Sequence, residues 1–236
     1  MSSIIDWMTR RAGGGRYRER CLAWKRGPNQ RPRILGHRGA RHAHPENTLL
    51  AFEEALREGA DGVELDVRAT GDGLLVVFHD PRLPRELTGG AADVSGAGPA
   101  LSELSASQLA QVRLPRGQTI PTLAEVLAWQ RDTGAWLNVE LKGDVPAPSH
   151  VVRAACALLN EHGGDRVLIS SFYPRMLVEC ALRAPDIPRA WLVHAEQRLL
   201  KNAPAWSWTT AAGVHPQVEG LSATQVQRLL AEGALV

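Results

Sequence analysis

Apolar and polar residues alternate through Gly62-Val63-Glu64-Leu65-Asp66-Val67, and again through Trp136-Leu137-Asn138-Val139-Glu140-Leu141-Lys142. Successive side chains of a strand point to opposite faces, so each run predicts a strand with one apolar and one polar face. Shorter apolar runs predict strands over residues 34–36, 74–78, 167–170 and 190–193, with a weaker one around Val214. Helical periodicity fills most of the gaps. Leu49, Phe52 and Leu56 share one face of a predicted helix over 45–57, with Pro45 near its start and Gly59 past its end. Residues 122–131, 149–161, 174–183 and 222–231 carry similar patterns. Strands alternating with helices predict an α/β fold with a parallel sheet, and a chain of 236 residues suits one TIM-type (β/α) barrel. Only Thr70-Gly71-Asp72-Gly73 separates the strand at 62–67 from that at 74–78, so one crossover helix is missing.

Composition narrows the class. The chain is 44% hydrophobic and 22% charged, close to globular averages, which excludes a disordered chain, and no run approaches the ~18 apolar residues of a membrane span. Three widely spaced cysteines without a CxxC pair exclude a disulfide framework and a structural zinc site. A net charge of +2 offers no broad cationic field for nucleic acid.

That charge is unevenly spread. Residues 1–33 hold nine Lys and Arg against Asp6 and Glu19, leaving a mildly acidic body. Gly13-Gly14-Gly15, Gly27-Pro28 and Pro32 mark this stretch as a weakly ordered arm, either a solvated tail or a contact for an anionic membrane surface. It lacks the apolar centre of a secretory signal, so a cytoplasmic location is expected. Residues 34–236 form the predicted barrel domain. Within it, residues 81–121 are a long excursion broken by Gly89-Gly90, Gly96 and Gly98, with a small helical stretch near 101–112; loops of this length are usually functional or carry their own structure.

The chemistry gathers at strand ends. Glu64 and Asp66 share a face roughly 7 Å apart along their strand. Two like charges so placed need a cation between them. Glu140 and Lys142 repeat the device, the run 34–36 leads into His37-Arg38-Gly39, and the run 74–78 into His79-Asp80. In parallel barrels the C-terminal ends of the strands carry the active site. Glu64, Asp66 and Glu140 supply hard oxygen ligands suited to Mg²⁺ or Ca²⁺, His37 and His79 are free for proton transfer, and Arg38 and Lys142 suit an anionic group such as phosphate. Each feature alone has a plainer reading: an E-x-D on a strand is more often a solvated face, His-Asp a turn, and a lone Lys a snorkelling surface residue. Their coincidence favours a metal-assisted hydrolase.

A longer composite extends this. His37-Arg38-Gly39, Pro45-Glu46-Asn47-Thr48, Ala51-Phe52, Gly59-Ala60-Asp61-Gly62-Val63-Glu64-Leu65-Asp66-Val67, Thr70, Asp72-Gly73 and Val76-Val77-Phe78-His79-Asp80 together resemble the glycerophosphodiester phosphodiesterases. Leu83, Arg85, Ile120-Pro121-Thr122-Leu123, Asn138-x-Glu140-x-Lys142 and Ser170-Ser171-Phe172 are similar as well. The resemblance implies a phospholipase-C-like barrel that hydrolyses glycerophosphodiesters to sn-glycerol 3-phosphate and an alcohol. It implies His37 and His79 as the acid/base pair, Glu64, Asp66 and Glu140 as ligands of a divalent cation, and Arg38 and Lys142 as phosphate holders.

One departure follows from the same resemblance, which implies further strands after the helix at 222–231, where this chain ends in Gly233-Ala234-Leu235-Val236. The expectation is a barrel lacking its last strands, with Trp206 and Trp208 available as an aromatic wall. Three functional readings stay open: the phosphodiesterase, a lysophospholipase D-type relative, and an impaired barrel that binds phosphate ligands without turnover.

Overall fold

The alternating run of residues 62–67 lies within the longest strand of the computed structural model, β2 (Gly62–Ala69). The model describes residues 15–25, 30–88, 98–194, 211–216 and 222–231; the Trp206–Trp208 pair and the terminal 234–236 lie outside them. The chain divides into two units, residues 33–158, and residues 1–32 with 159–236.

In the first unit β2 pairs in parallel with β1 (Leu35–His37) on one side and β4 (Trp136–Leu141) on the other. The register sets His37 opposite Glu64 and Asp66 opposite Glu140. Val63, Leu65, Val67, Leu137, Val139 and Leu141 are fully buried, as the alternation requires of one face. Helix α2 (Leu49–Arg57) buries Ala51, Phe52 and Ala55 and packs on β1 and β2. It begins four residues later than its periodicity suggests. Thr48 is the N-cap, its hydroxyl accepting from the Ala51 N–H at 3.2 Å, and Asn47 has φ +58°, outside the helical region. Residues 45–48 are thereby a turn at the mouth of the sheet.

The strand predicted over 74–78 is β3 (Leu75–Val77), and its direction corrects the all-parallel expectation. It runs antiparallel to β2, with Leu75 opposite Ala69 and Val77 opposite Val67. The missing crossover helix is explained: residues 70–74 are a hairpin turn, closed by Gly73 N–H to the Thr70 carbonyl at 3.0 Å, with Gly73 at φ +89°. His79 therefore reaches the mouth because its strand doubles back along β2.

The excursion over 81–121 carries its own small core. Leu83, Leu101, Leu109, Leu114 and Ile120 cluster with Val76, around the one-turn helix α3 (Ala106–Leu109). Its return is stopped by a capping box, Thr122 with Glu125, that starts α4 (Leu123–Thr133). Helix α5 (Pro148–His162) leaves this unit.

In the second unit β5 (Val167–Ser171), β6 (Arg189–Val193) and β7 (Gly213–Pro216) are parallel, with α6 (Pro174–Arg183) between the first two and α7 (Ala223–Ala231) after the third. Residues Gly15–Trp24 form α1, whose Trp24 packs on Leu168 and Ala190. Arg20 donates to the Gly163 carbonyl and pairs with Asp165 at 3.1 Å, and Arg16 pairs with Asp186 at 3.3 Å. Charge that reads as solvated in the sequence is thus partly spent on this attachment. Among the described residues no helix is long and apolar enough to cross a membrane.

Candidate active site

The polar faces of β2 and β4 lie side by side because the strands are in register. Asp66 and Glu140 are direct neighbours, and Glu64 is one pleat back on β2. One carboxylate oxygen from each of Glu64, Asp66 and Glu140 lies within 4.8 Å of the other two. Asp66 and Glu140 are buried and Glu64 is nearly so.

Two cations brace the trio. Lys142, two residues beyond Glu140 on the same face, sets its Nζ 2.8 Å from Asp66 Oδ1 and 2.7 Å from Glu140 Oε1. Arg38 sets its Nε 3.1 Å from Asp66 Oδ2, while its Nη1 donates to Glu46 Oε1 at 3.0 Å. The Arg38 backbone N–H also faces Glu64, 3.2 Å from Oε2. This aim depends on a tight bend after β1: Arg38 has φ +58° and Gly39 φ +80°, and a Cβ at Gly39 would lie 2.7 Å from the Ala51 backbone.

The histidines flank the cluster. His37 Nε2 lies 3.7 Å from Glu64 Oε2, and its imidazole is half exposed. His79 follows Phe78, whose N–H donates to the Asp66 carbonyl at 2.9 Å. Its Nδ1 lies 2.7 Å from Asp80 Oδ1, which leaves Nε2 as its free edge. All seven residues singled out in the sequence thus belong to one unit and one end of its sheet.

The sequence and the architecture have counterparts among known proteins. The profile of the Glycerophosphoryl diester phosphodiesterase family matches residues 37–236. The chain belongs to that family. A glycerophosphodiester phosphodiesterase of Bacillus altitudinis is 34% identical over 203 residues, covering 82% of this chain and 78% of that protein. Among solved structures, an Oleispira antarctica phosphodiesterase in complex with its product sn-glycerol-3-phosphate superposes with a TM-score of 0.74 at 28% identity, covering 86% and 82% of the two chains. The glycerophosphodiester phosphodiesterase of Thermotoga maritima gives 0.69 at 26%, covering 88% and 84%. The fold class of this phosphodiesterase is accordingly the TIM-type (β/α) barrel.

Electrostatics at the cluster follow from crowding. Burial, with Asp66 and Glu140 alongside, pushes the Glu64 carboxyl up to about 8. Burial alone would raise Asp66 too, but Lys142, Asn47 and Arg38 hold it below the usual carboxylate range. Burial raises Glu140 despite Lys142, and Lys142 is raised by the two carboxylates it bridges against the opposing effect of its own burial. Burial, Arg38 and Arg41 lower His37.

Several residues of this arrangement escaped the sequence reading as site residues. Asn47 is fully buried and grips Asp66 twice, donating from Nδ2 to Oδ2 at 2.9 Å and accepting the Asp66 N–H at 3.3 Å. Its place in Pro45-Glu46-Asn47-Thr48 gives no sign of this role in the sequence alone. Glu46 anchors Arg38, and Asp80 orients His79. Arg68 extends the parity of Glu64 and Asp66 by one step, a signal visible in the alternation itself.

Proposed function

We propose that this chain hydrolyses glycerophosphodiesters to sn-glycerol 3-phosphate and an alcohol, with His37 and His79 exchanging the protons. The observation that carries this is the meeting of three buried carboxylates from two strands with two fixed cations and, at the margin, two imidazoles. The product named for the Oleispira antarctica relative supports the substrate class.

The donor set fits a divalent cation. Glu64, Asp66 and Glu140 bring one carboxylate oxygen each to within 4.8 Å of one another, and Arg38 and Lys142 pair with Asp66 and Glu140. Glu64 is pushed toward its protonated form by burial and by its two acidic neighbours, a crowding that a divalent cation among these oxygen donors would relieve. These three side chains would hold Mg²⁺ or Ca²⁺, which when bound polarises a phosphoryl oxygen. Arg38 and Lys142 lie where they offset the charge that accumulates on the phosphate as the bond order at phosphorus rises.

Proton transfer falls to the histidines. As the glycerol hydroxyl beside the phosphate attacks phosphorus, one imidazole accepts its proton and the other protonates the departing alkoxide, so the alcohol leaves neutral. The cyclic phosphate left behind is opened by water with the two roles reversed, which gives sn-glycerol 3-phosphate. Asp80 holds His79 Nδ1 and so fixes which nitrogen meets the substrate.

The test is release of glycerol 3-phosphate from glycerophosphocholine. His37→Ala and His79→Ala should each lower kcat by at least ~10²-fold. Excess chelator should abolish turnover, and added Mg²⁺ or Ca²⁺ should restore it. Full turnover in chelator would remove the cation from the reaction, and absence of release under every ion tried would end the substrate assignment.

A further inference from the structure

We propose that Arg68 is a positioning residue for His79, acting through the backbone beneath the imidazole. This rests on the reading of His79 as a proton-transfer residue.

Arg68 follows Glu64 and Asp66 on the polar face of β2, and its side chain is only 4% exposed. Its Nε donates to the His79 carbonyl at 2.7 Å. Its Nη2 pairs with Asp144 Oδ2 at 2.9 Å, and Nη1 reaches the Asp144 carbonyl at 3.5 Å. Asp144 stands two residues past Lys142, whose own N–H donates to the Val67 carbonyl at 3.1 Å. One guanidinium therefore ties the segment after β3, which carries His79, to the segment after β4, which carries Lys142.

Burying a guanidinium is costly, and the pairs it forms seldom stabilise a fold more than apolar packing would. Its targets point to alignment instead. The turn of β3 leaves His79 on a segment that has already left its strand, so β3 pairing alone does not fix it. The planar fork of Arg68 reaches both segments at a set angle, a geometry the single ammonium of lysine does not reproduce. Asp80 then fixes the imidazole, while Arg68 fixes the chain that carries it.

Arg68→Lys keeps the charge and loses the fork. Assayed on glycerophosphocholine with Mg²⁺, it should lower kcat by about 10- to 100-fold, the scale of a misplaced catalytic group, with KM changed less than ~2-fold. Placed in a His79→Ala background it should cost nothing further, because nothing remains to position. The same fold-loss in both backgrounds, or a change confined to KM, would overturn the proposal. Should Arg68→Lys fail to fold by circular dichroism, the half-exposed Asp144→Asn serves: a smaller kcat loss that vanishes in the His79→Ala background supports the link, and unchanged kcat overturns it. Wild-type turnover in His79→Ala alone would overturn the acid/base reading and this proposal with it. A strong His79→Ala loss beside an additive Arg68→Lys loss overturns only the positioning role.

Discussion

The two faces of β2 contrast sharply over the six residues Val63 to Arg68. Val63, Leu65 and Val67 are fully buried in an apolar layer, while Glu64, Asp66 and Arg68, on the same backbone and pairing with the same neighbours, are enclosed among charges. On the first face each side chain contributes on the order of 1.5–3 kcal/mol by leaving water. On the second, every ion is desolvated, and pairing with its partners returns at most a comparable amount. One strand thus supplies cohesion on one side and chemistry on the other, and the chemical side is maintained at some cost to stability. Substitutions on the two faces should therefore move different observables, and in one case stability should move in opposite directions.

The largest stability effect is expected on the apolar face. Leu65→Ala removes a fully buried side chain from the middle of the strand that pairs with both β1 and β4, where little collapse around the void is possible. It should cost about 2–5 kcal/mol in denaturant unfolding, with kcat per folded molecule nearly unchanged. A loss of kcat as large as that of a histidine variant, in protein shown to be folded, would mean that the two faces are mechanically coupled.

Glu64→Gln should act in the reverse sense. The Glu64 carboxyl is pushed up to about 8 in the folded protein from an ordinary value of 4.5, chiefly by burial and then by Asp66 and Glu140. A carboxyl with a raised folded value takes up a proton on folding. Its contribution is present in full below 4.5 and is lost as pH rises toward about 8. In excess chelator, Tm of the wild type should fall across that window. Glu64→Gln, which carries no charge to bury, should flatten the fall and exceed the wild type in Tm near pH 8 while losing turnover. Mg²⁺ should raise the wild-type Tm more than that of the variant, since binding to the folded state stabilises it by mass action. Parallel Tm profiles for the two proteins in chelator would show that the carboxyl trio is not crowded.

Much of this division was legible before any coordinates. Period-two alternation is a local signal, so Glu64, Asp66, Glu140 and Lys142 could be assigned to the polar faces of two strands; the apolar runs 34–36 and 74–78 led into His37, Arg38 and His79 at the same end, and the family resemblance sharpened their roles. What alternation does not encode is strand direction. The four residues 70–73 excluded a helix, yet β3 still read as one more parallel strand; the Asp72-Gly73 pair, a turn signal between two apolar runs, was the available clue to a hairpin. Asn47 and Arg68 were missed for another reason. Their partners, the Asp66 carboxylate and the His79 carbonyl, are fixed only by the long-range bend of residues 38–48 over α2 and by the return of β3. In α1, Arg16 and Arg20 read as part of a solvated run because Asp186 and Asp165 lie some 145 or more positions away in the sequence.

The smallest expected effect probes a third region, the excursion. Its return passes beside β3: the Val77 N–H donates to the Pro121 carbonyl at 2.8 Å, and Val76 bridges Thr122. Thr122 caps α4 by accepting from the Glu125 N–H at 3.1 Å, and Glu125 in turn accepts from the Thr122 N–H at 2.7 Å. Thr122→Ala removes half of that box and should cost about 1 kcal/mol. It should leave kcat unchanged, because the polar row is held from elsewhere: Asp66 by Asn47, Arg38 and Lys142, and the His79 carbonyl by Arg68. Chemical denaturation and the glycerophosphocholine assay on one preparation decide it. A stability loss accompanied by a kcat loss would show that β3 transmits strain from the excursion to His79, and that the strand pairing of Val77 shares the alignment here assigned to the Arg68 guanidinium.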